Sequence, residues 1–260
     1  MSLANHLVIA KRAAVQAGQK IIEIYETDFD NCIEIKADNS PLTIADKAAN
    51  NIIIQMLHRE FPKISILSEE NTSDNSRVTN DWCWIVDPLD GTKEFIKKNG
   101  EFTVNIALAH KGKPVLGVIF VPVKGVLFYA SKGIGAYKEE QGKAVKISVT
   151  DKTQDLVLVG SKSHASDQLK ALIEAKNDLI ENTISAGSSL KGTMVAQGTA
   201  DVYYRFGYTC EWDTAAMHCI VEQAGGIFRQ MDGSEMTYNR QNNLNEKGFY
   251  VVNCTDNIWV

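Results

Sequence analysis

Two aspartates stand three residues apart in the segment Asp87-Pro-Leu-Asp-Gly-Thr92. The apolar run 84–86 before them predicts a short buried strand that ends at Asp87, and a short helix is expected over about 91–97. Gly91 permits close approach of the backbone, and backbone N–H groups at a helix start attract phosphate. Neighbouring carboxylates attract hard cations such as Mg²⁺. The alternative is a strand-end turn in which Asp90 is only a capping residue.

Other acids stand at the ends of predicted elements. The pair Glu69-Glu70 follows an apolar run, and Asp213 lies at a predicted helix start. Asp46 stands three residues after Thr43, as in a capping box. Taken singly, these acids are explained by a solvated loop, a helix N-cap and a capping box. Taken together with the two aspartates, they form the oxygen-rich set that a Mg²⁺ cluster requires.

Helices and an antiparallel meander are predicted for the first half of the chain. Apolar residues recur at intervals of three and four over 3–26, and a second helix is expected over about 43–60, ending before Pro62. Beyond residue 102, apolar runs are separated by Gly-bearing breaks, which indicates antiparallel strands joined by turns. The runs are 102–109, 114–123, 126–130, 134–138 and 144–149.

Strands and helices alternate after residue 150. Strands are predicted over 156–160, 180–185, 201–206 and 249–253, and helices over 167–175, 189–197 and 213–224. The last of these helices ends at Gly225-Gly226, which signals a left-handed C-cap. We therefore expect a mixed α+β fold, with helices and antiparallel sheet in 1–150 and a more α/β half in 151–260. No Pro/Gly/Ser linker separates the two parts.

The composition is that of a globular protein and limits its partners. The 260 residues are 44% hydrophobic and 23% charged, with a formal charge of -5. Such an acidic chain does not favour nucleic-acid polymers. The five cysteines form no C-x-x-C pair, so we expect reduced thiols in a cytoplasmic protein. The N-terminal segment lacks a signal-peptide pattern, and the longest apolar run, over 115–123, is too short to span a bilayer.

Three ordered motifs carry a family resemblance: Ser68-Glu-Glu70, Asp87-Pro-Leu-Asp-Gly-Thr92 and Trp212-Asp-Thr-Ala-Ala216. From the segment 36–46 to Gly225-Gly226, the chain resembles the inositol monophosphatase-like family of Mg²⁺-dependent, lithium-sensitive phosphatases. The resemblance implies a layered αβαβα sandwich of the inositol monophosphatase and sugar phosphatase type. That α+β fold agrees with the mixed pattern of predicted elements.

The resemblance also implies the parts of a metal-dependent phosphatase site. The implied Mg²⁺ ligands are Glu69, Asp87, the backbone carbonyl of Leu89, Asp90 and Asp213. They would hold two Mg²⁺ ions, and the family also allows a third, weaker one. Asp46 and Thr92 would form a hydroxyl–carboxylate relay that orients the attacking water and takes its proton. Glu69 is a further implied catalytic residue, and Lys36 would lie near the site.

Other segments resemble one branch of this family, the bacterial 3'(2'),5'-bisphosphate nucleotidases. They are Gly91-Thr-Lys-Glu-Phe95, Ser161-Lys-Ser-His164, Gly187-Ser-Ser-Leu-Lys191 and Tyr203-Tyr-Arg-Phe206. A bisphosphorylated nucleotide carries a second phosphate away from the metals, and Lys or Arg is a natural partner for it. The implied substrate-binding residues are Glu69, Leu89, Asp90, Gly91, Thr92, His164, Ser188, Lys191, Arg205 and Asp213. Without the resemblance, the histidine and the two cations would be interpreted as ordinary surface residues.

The implied reaction is hydrolysis of the 3'-phosphate of adenosine 3',5'-bisphosphate (PAP) to AMP and phosphate, which clears a by-product of sulfate assimilation. An inositol monophosphatase or sugar-bisphosphatase on the same scaffold is the alternative. An aspartyl-phosphate mechanism is disfavoured because it uses Asp-x-Asp, whereas Asp87 and Asp90 are three residues apart. A binding module without turnover would not need the Asp46–Thr92 relay. Monomer and homodimer both stay open, and peripheral association with the cytoplasmic face of the inner membrane is compatible with the sequence.

Overall fold

Two large β-sheets, with helices between and outside them, make up the computed structural model of the chain. The structure describes residues 3–27, 33–35, 41–161 and 166–260. Its helices are α1 Leu3–Tyr25, α2 Ile44–Glu60, α3 Thr92–Ile96, α4 Asp167–Ala175, α5 Leu190–Ala196 and α6 Glu211–Gln223. Its strands are β1 Ile33–Ile35, β2 Pro41–Thr43, β3 Ser65–Ser68, β4 Trp82–Asp90, β5 Thr103–His110, β6 Lys113–Val121, β7 Val126–Ser131, β8 Gly135–Glu140, β9 Lys143–Ile147, β10 Leu156–Ser161, β11 Ile180–Ala186, β12 Val202–Arg205, β13 Thr209–Cys210, β14 Ile227–Gln230, β15 Leu244–Asn245 and β16 Phe249–Val252.

The larger sheet has seven strands in the order β3-β4-β5-β6-β7-β8-β9. β3 runs parallel to β4, and the other neighbouring pairs are antiparallel. The predicted meander over 102–149 is therefore confirmed as β5 to β9. On β4, Trp84 and Val86 pack with α1 and α2, whereas Cys83 and Ile85 pack with α6. This alternation follows because successive side chains of a strand point to opposite faces of the sheet.

The smaller sheet has five strands in the order β11-β10-β12-β16-β14. One of its faces shares a core with α5 and α6. On the other face, Leu158, Val202 and Tyr250 pack against Leu169 of α4. The layers are thus α1 with α2, the seven-stranded sheet, α5 with α6, the five-stranded sheet, and α4. The predicted layered αβαβα sandwich is confirmed.

β4 differs from the predicted strand in the place where it ends. The strand continues to Asp90, and its register against β5 shifts between Asp87, opposite Asn105, and Asp90, opposite Thr103. One extra residue on β4 is accommodated there, which is a β-bulge. In a regular strand, residues three apart point to opposite faces. Because of the extra residue, both aspartates point to the same face, the one covered by α6.

The helix predicted over 213–224 begins earlier, at Glu211. Cys210 is its N-cap, and Asp213 is the third helical residue, whose carboxylate accepts from the Cys210 N–H at 2.6 Å. This is the second half of a capping box, in which a side chain at the third position reaches back to the cap. The Asp213 carboxylate is thereby directed toward the start of α6.

Several short strands are not predicted by the sequence pattern. They are β1, β2, β13, β14 and β15, with two to four residues each. Segments this short contain too few positions for alternation of apolar and polar residues to be recognised. As for membrane insertion, no helix in the described ranges combines the length and apolar character needed to cross a bilayer.

Candidate metal centre and substrate pocket

Three of the predicted metal ligands converge at the end of β4. Carboxylate oxygens of Asp87, Asp90 and Asp213 all lie within 4.8 Å of one another, and we call these three residues the acid cluster. The bulge in β4 directs two of them toward α6, and the first turn of α6 supplies the third. Asp87 is 1% exposed, and the other two are partly buried.

The carboxylates of the acid cluster repel one another. Burial raises the pKa of Asp87 well above its usual range, and the charges of Glu69 and Asp90 raise it further. The pKa of Asp213 is raised to about 8, first by burial and then by Asp90, against the opposing effect of the Cys210 N–H. Buried, mutually repelling carboxylates are unstable as anions unless a positive charge compensates them. A hard divalent cation supplies that charge and takes oxygen ligands, so these residues fit a metal ion.

Glu69 and Leu89 lie at the edge of the acid cluster. Glu69 follows β3, its N–H donates to the Val86 carbonyl at 3.1 Å, and its side chain is hydrogen-bonded to the Asp87 carboxyl. Its oxygens are not part of the mutual 4.8 Å group. The N–H of Leu89 donates to Asp87 Oδ1 at 3.1 Å, and its carbonyl lies 3.4 Å from Thr92 Oγ1. Both predicted ligands are therefore brought to the site, Glu69 by the parallel pairing of β3 with β4.

A threonine–aspartate contact joins the start of α2 to the start of α3. Thr92 Oγ1 donates to Asp46 Oδ1 at 3.2 Å. The other oxygen, Asp46 Oδ2, accepts from the N–H and the hydroxyl of Thr43 at 2.8 and 2.5 Å. Thr43 and Asp46 thus form the capping box that the sequence allowed. Since the same aspartate also contacts Thr92, capping does not exclude the contact that a relay requires.

Gly91 allows α3 to begin directly after β4. Its φ of +93° is in the left-handed region that favours glycine, and a Cβ there would lie 2.2 Å from Ser188 Oγ. Ser188 has a φ of +47°, and its hydroxyl lies 2.8 Å from the Asp90 carbonyl and 2.7 Å from the Glu101 carbonyl. The segment before α5 is therefore held closely against the segment after β4.

A cavity of about 200 Å³ opens beside the acid cluster, with Asp90 and Asp213 among its lining residues. Four of the predicted substrate-binding residues also line it: Gly91, Ser188, Lys191 and Arg205. The cavity thus brings the predicted nucleotide pocket and the predicted metal centre together. The predicted residues His164 and Lys36 lie outside the described residues.

Of the three cationic side chains that line the cavity, Lys93 is exposed, whereas Lys191 and Arg205 are partly or wholly buried. Lys191 is 7% exposed, and its Nζ donates to the Ser188 carbonyl at 2.7 Å. Burial lowers the pKa of Lys191 to about 8. Arg205 donates through a terminal nitrogen to the Tyr208 carbonyl at 3.4 Å, and its buried Nε has no hydrogen-bond partner in the described parts of the chain. These cations are therefore not the solvated surface residues of the alternative interpretation.

Comparison with known proteins bears on the family and the fold. Residues 2–251 match the Inositol monophosphatase family. The chain belongs to the inositol monophosphatase family. A protein of Escherichia coli strain K12 named 3'(2'),5'-bisphosphate nucleotidase CysQ is 43% identical over 240 residues, which are 92% of this chain and 96% of that protein. A protein of the same name from Haemophilus influenzae is 30% identical over 243 residues, 92% of this chain and 89% of that protein.

Solved structures of the inositol monophosphatase family agree with this fold. CysQ from Bacteroides thetaiotaomicron is 42% identical, with a TM-score of 0.85 over 96% of this chain and 97% of that one. An IMPase of Thermotoga maritima is 25% identical, with a TM-score of 0.80 over 96% and 92%. The family resemblance stated from the sequence is confirmed.

This member of the inositol monophosphatase family also has polar residues at the site that its motifs do not reveal. Thr103 and Asn105 of β5, and Ser189 before α5, are buried and contact Asp90. The sequence does contain a signal for Thr103 and Asn105, because these two polar residues at alternate positions interrupt the otherwise apolar buried strand β5. Ser189 stands inside the segment Gly187-Ser-Ser-Leu-Lys191, where nothing in the sequence distinguishes it as a contact of Asp90.

His218, on α6, is a packed histidine. Its ring stacks on Phe228 with centroids 4.5 Å apart, its Nδ1 lies 2.9 Å from the Tyr238 hydroxyl, and its Nε2 lies 3.2 Å from Glu222. None of these contacts involves the acid cluster. We therefore assign His218 a role in packing.

Proposed function

We propose that this chain is a Mg²⁺-dependent 3'(2'),5'-bisphosphate nucleotidase that hydrolyses the 3'-phosphate of PAP to AMP and phosphate. The observation that carries the proposal is the cavity that Asp90 and Asp213 share with Lys191 and Arg205. The acidic part of the cavity suits a cation and the phosphate bound to it, and the basic part suits a second phosphate. The two relatives described above bear the name of this activity.

The metal ligands in this proposal are carboxylate and carbonyl oxygens. They are Asp87, Asp90, Asp213, Glu69 and the carbonyl of Leu89, and we propose two Mg²⁺ ions, with a third, weaker one also accommodated. When bound, Mg²⁺ lowers the pKa of water and stabilises negative charge on the departing ester oxygen. The raised pKa values of Asp87 and Asp213 support the assignment, because a cation in their midst would compensate charges that now repel.

The Asp46–Thr92 contact is placed to receive the proton of the attacking water. Two acceptors lie near the Thr92 hydroxyl, Asp46 Oδ1 at 3.2 Å and the Leu89 carbonyl at 3.4 Å, and we assign its single hydrogen to the nearer, charged Asp46. This assignment leaves a lone pair on Oγ1 to accept a hydrogen bond from water. Two donors from Thr43 stabilise the negative charge of Asp46. As the water oxygen attacks phosphorus, its proton passes to Thr92 Oγ1 and the hydroxyl hydrogen passes to Asp46. No covalent enzyme intermediate is needed.

Lys191 and Arg205 provide the selectivity for a second phosphate. The Lys191 Nζ uses two hydrogens on the carbonyls of Ser188 and Ala186, at 2.7 and 3.3 Å, which leaves a third for a ligand. The Arg205 Nε–H is a further donor that no described residue accepts. Ser188 and, outside the described residues, His164 complete the proposed nucleotide pocket. Two cations in one pocket favour a bisphosphate over a monophosphate.

An inositol monophosphatase or sugar-bisphosphatase activity is the alternative on this scaffold, since the family includes such enzymes and the IMPase of Thermotoga maritima shares the fold. Phosphate release from PAP, inositol 1-phosphate and fructose 1,6-bisphosphate at one Mg²⁺ concentration distinguishes them. We expect kcat/KM for PAP to be higher by at least about tenfold, the worth of one charge-assisted hydrogen bond. Preference for inositol 1-phosphate or for fructose 1,6-bisphosphate would establish the alternative, and release from none of the three would refute both.

Further properties of the proposed enzyme concern its inhibition and setting. We propose that lithium inhibits it, that it acts in the cytoplasm, and that its role is to clear the PAP left by sulfate assimilation. The thiols of Cys83, Cys210, Cys219 and Cys254 are free, which suits a reducing compartment. Inhibition by Li⁺ is tested in the same phosphate-release assay, with Na⁺ at equal concentration as the control.

A further inference from the structure

Three buried polar side chains surround one oxygen of Asp90. Thr103 is fully buried, and Asn105 and Ser189 are 1% and 2% exposed. Thr103 and Asn105 point to the same face of β5, and Ser189 directly precedes α5. We call these three residues the Asp90 clamp. None of them is among the predicted metal ligands, relay residues or substrate-binding residues, although Ser189 also lines the cavity.

The hydrogen bonds of the Asp90 clamp converge on Asp90 Oδ2. This oxygen accepts from the N–H and the hydroxyl of Ser189, both at 2.7 Å, and from Asn105 Nδ2 at 3.1 Å. Thr103 Oγ1 lies 3.3 Å from the same oxygen and 2.9 Å from Asn105 Oδ1. Asp90 Oδ1 makes no hydrogen bond that the structure describes. One carboxylate oxygen is thus held by protein donors, while the other is left for the acid cluster.

The donor directions in the clamp are mutually consistent. Asn105 must point its Nδ2 at Asp90, because the reverse orientation would place two acceptor oxygens together. Its oxygen then accepts the single hydroxyl hydrogen of Thr103, and its second amide hydrogen goes to Ser189 Oγ at 2.9 Å. Ser189 Oγ is therefore free to donate to Asp90. Buried polar groups with all their partners satisfied fix one arrangement of side chains.

We propose that the Asp90 clamp holds Asp90 in the rotamer that directs Oδ1 into the acid cluster, and that it thereby sets the affinity for the metal ion. The inference rests on the metal dependence in the proposed function. Ser189 also lies 3.1 Å from the Asp213 carbonyl, so the clamp contacts the segments that carry two of the ligands. Thr103, Asn105 and Ser189 are positioning residues, since they act on the metal through Asp90.

The test is calorimetric titration of Mg²⁺ into the substrate-free protein, with Ser189→Ala and Asn105→Leu as the variants. Ser189→Ala removes one donor to Oδ2 and keeps the N–H, and Asn105→Leu removes the amide without a large change of size. Loss of groups that orient metal ligands weakens metal binding by about 10–100-fold, and we expect Kd for Mg²⁺ to rise within that range. In the phosphate-release assay with PAP, saturating Mg²⁺ should restore most of kcat, with KM for PAP unchanged.

The matched control is Thr193→Val, which removes a buried hydroxyl of α5 whose hydrogen bond goes to the Leu190 carbonyl instead of Asp90. Its Kd for Mg²⁺ should equal that of the wild type. Each variant must have the circular dichroism spectrum of the folded wild type. If Asn105→Leu does not fold, Ser189→Ala, which is the smaller change, decides the result. Wild-type Kd in folded Ser189→Ala, or a reduced kcat that Mg²⁺ does not restore, overturns the inference. A wild type that binds Mg²⁺ but releases no phosphate from PAP refutes the proposed function alone, and one that binds no Mg²⁺ refutes both.

Discussion

Replacing Asp87 by Asn should make the protein more stable without Mg²⁺ and less stable than the wild type with it. Asp87 is 1% exposed, and the charges of Glu69, Asp90 and Asp213 all raise its pKa. The amide has the same shape as the carboxylate and keeps an oxygen for the Leu89 N–H. The substitution therefore removes the repulsion within the acid cluster while preserving this hydrogen bond, and it also removes a proposed metal ligand.

The size of the effect follows from the spacing of the carboxylates. At an effective dielectric constant of about 20, two unit charges 4.8 Å apart repel by about 3.5 kcal/mol. Because protonation of one carboxyl relieves part of this repulsion, we expect Asp87→Asn to stabilise the metal-free protein by about 1–2 kcal/mol. Each kcal/mol corresponds to roughly 2–4 °C in Tm for a chain of this size. Mg²⁺ at about 100 times its Kd stabilises the wild type by about 2.7 kcal/mol, which the variant should lose.

Thermal unfolding in EDTA and in excess Mg²⁺, followed by circular dichroism, measures both effects. Asp178→Asn is the matched control, because it removes an exposed carboxylate before β11. The control should have the Tm of the wild type in both buffers. Asp87→Asn should unfold at a higher temperature than the wild type in EDTA and at a lower one in Mg²⁺. A lower Tm in EDTA, or an undiminished increase of Tm on adding Mg²⁺, would contradict repulsion among these carboxylates.

Three further changes test the relay, the pocket and the backbone at the site. Thr92→Val should lower kcat by about 10²–10⁴-fold and leave the Kd for Mg²⁺ unchanged. Recovery of kcat in Thr92→Ser would show that the hydroxyl is the group that matters. A normal kcat in Thr92→Val would contradict the relay. In the wild type, KM for PAP should rise as pH increases through about 8, because Lys191 then loses its proton and its charge. The rise should be absent in Lys191→Met. A rise of equal size in that variant would mean that another group titrates. Gly91→Ala should lower the free energy of unfolding by roughly 1–3 kcal/mol in urea titrations, because residue 91 has a positive φ and the new Cβ would clash with the Ser188 hydroxyl. Wild-type stability would mean that the loop adapts to the methyl group.

The acids of the site stand where elements begin or end, which the sequence displays, and the family resemblance is what assigns them as metal ligands. Asp46 occupies the third position of a capping box, a local pattern that the sequence displays directly, whereas Asp213 is predicted as a helix N-cap and lies at the third position of α6. The periodicity of α1 and of the strands β5 to β9 predicts a mixed α+β fold, and the family resemblance implies the layered arrangement. These features depend on neighbours along the chain.

The Asp90 clamp could not be predicted, because it depends on neighbours in space. Asn105 and Ser189 are 84 residues apart, and their hydrogen bond exists only because β5 packs beside the start of α5. The bulge in β4 is a similar case. The sequence shows Pro88 between the aspartates but not that pairing with β5 resumes at Asp90, because the register is decided by the partner strand.

The bulge ties the pairing of β4 with β5 to the three-residue spacing of Asp87 and Asp90. In a regular strand that spacing would turn one of the two carboxylates away from α6, so the spacing and the bulge have to be kept together. Exchange of amino acids along β4 leaves the number of residues unchanged, whereas one codon gained between the two aspartates, with the bulge kept as it is, would turn one of them to the opposite face. A lineage of such enzymes can therefore accept substitutions in this segment within the limits of packing more readily than an insertion.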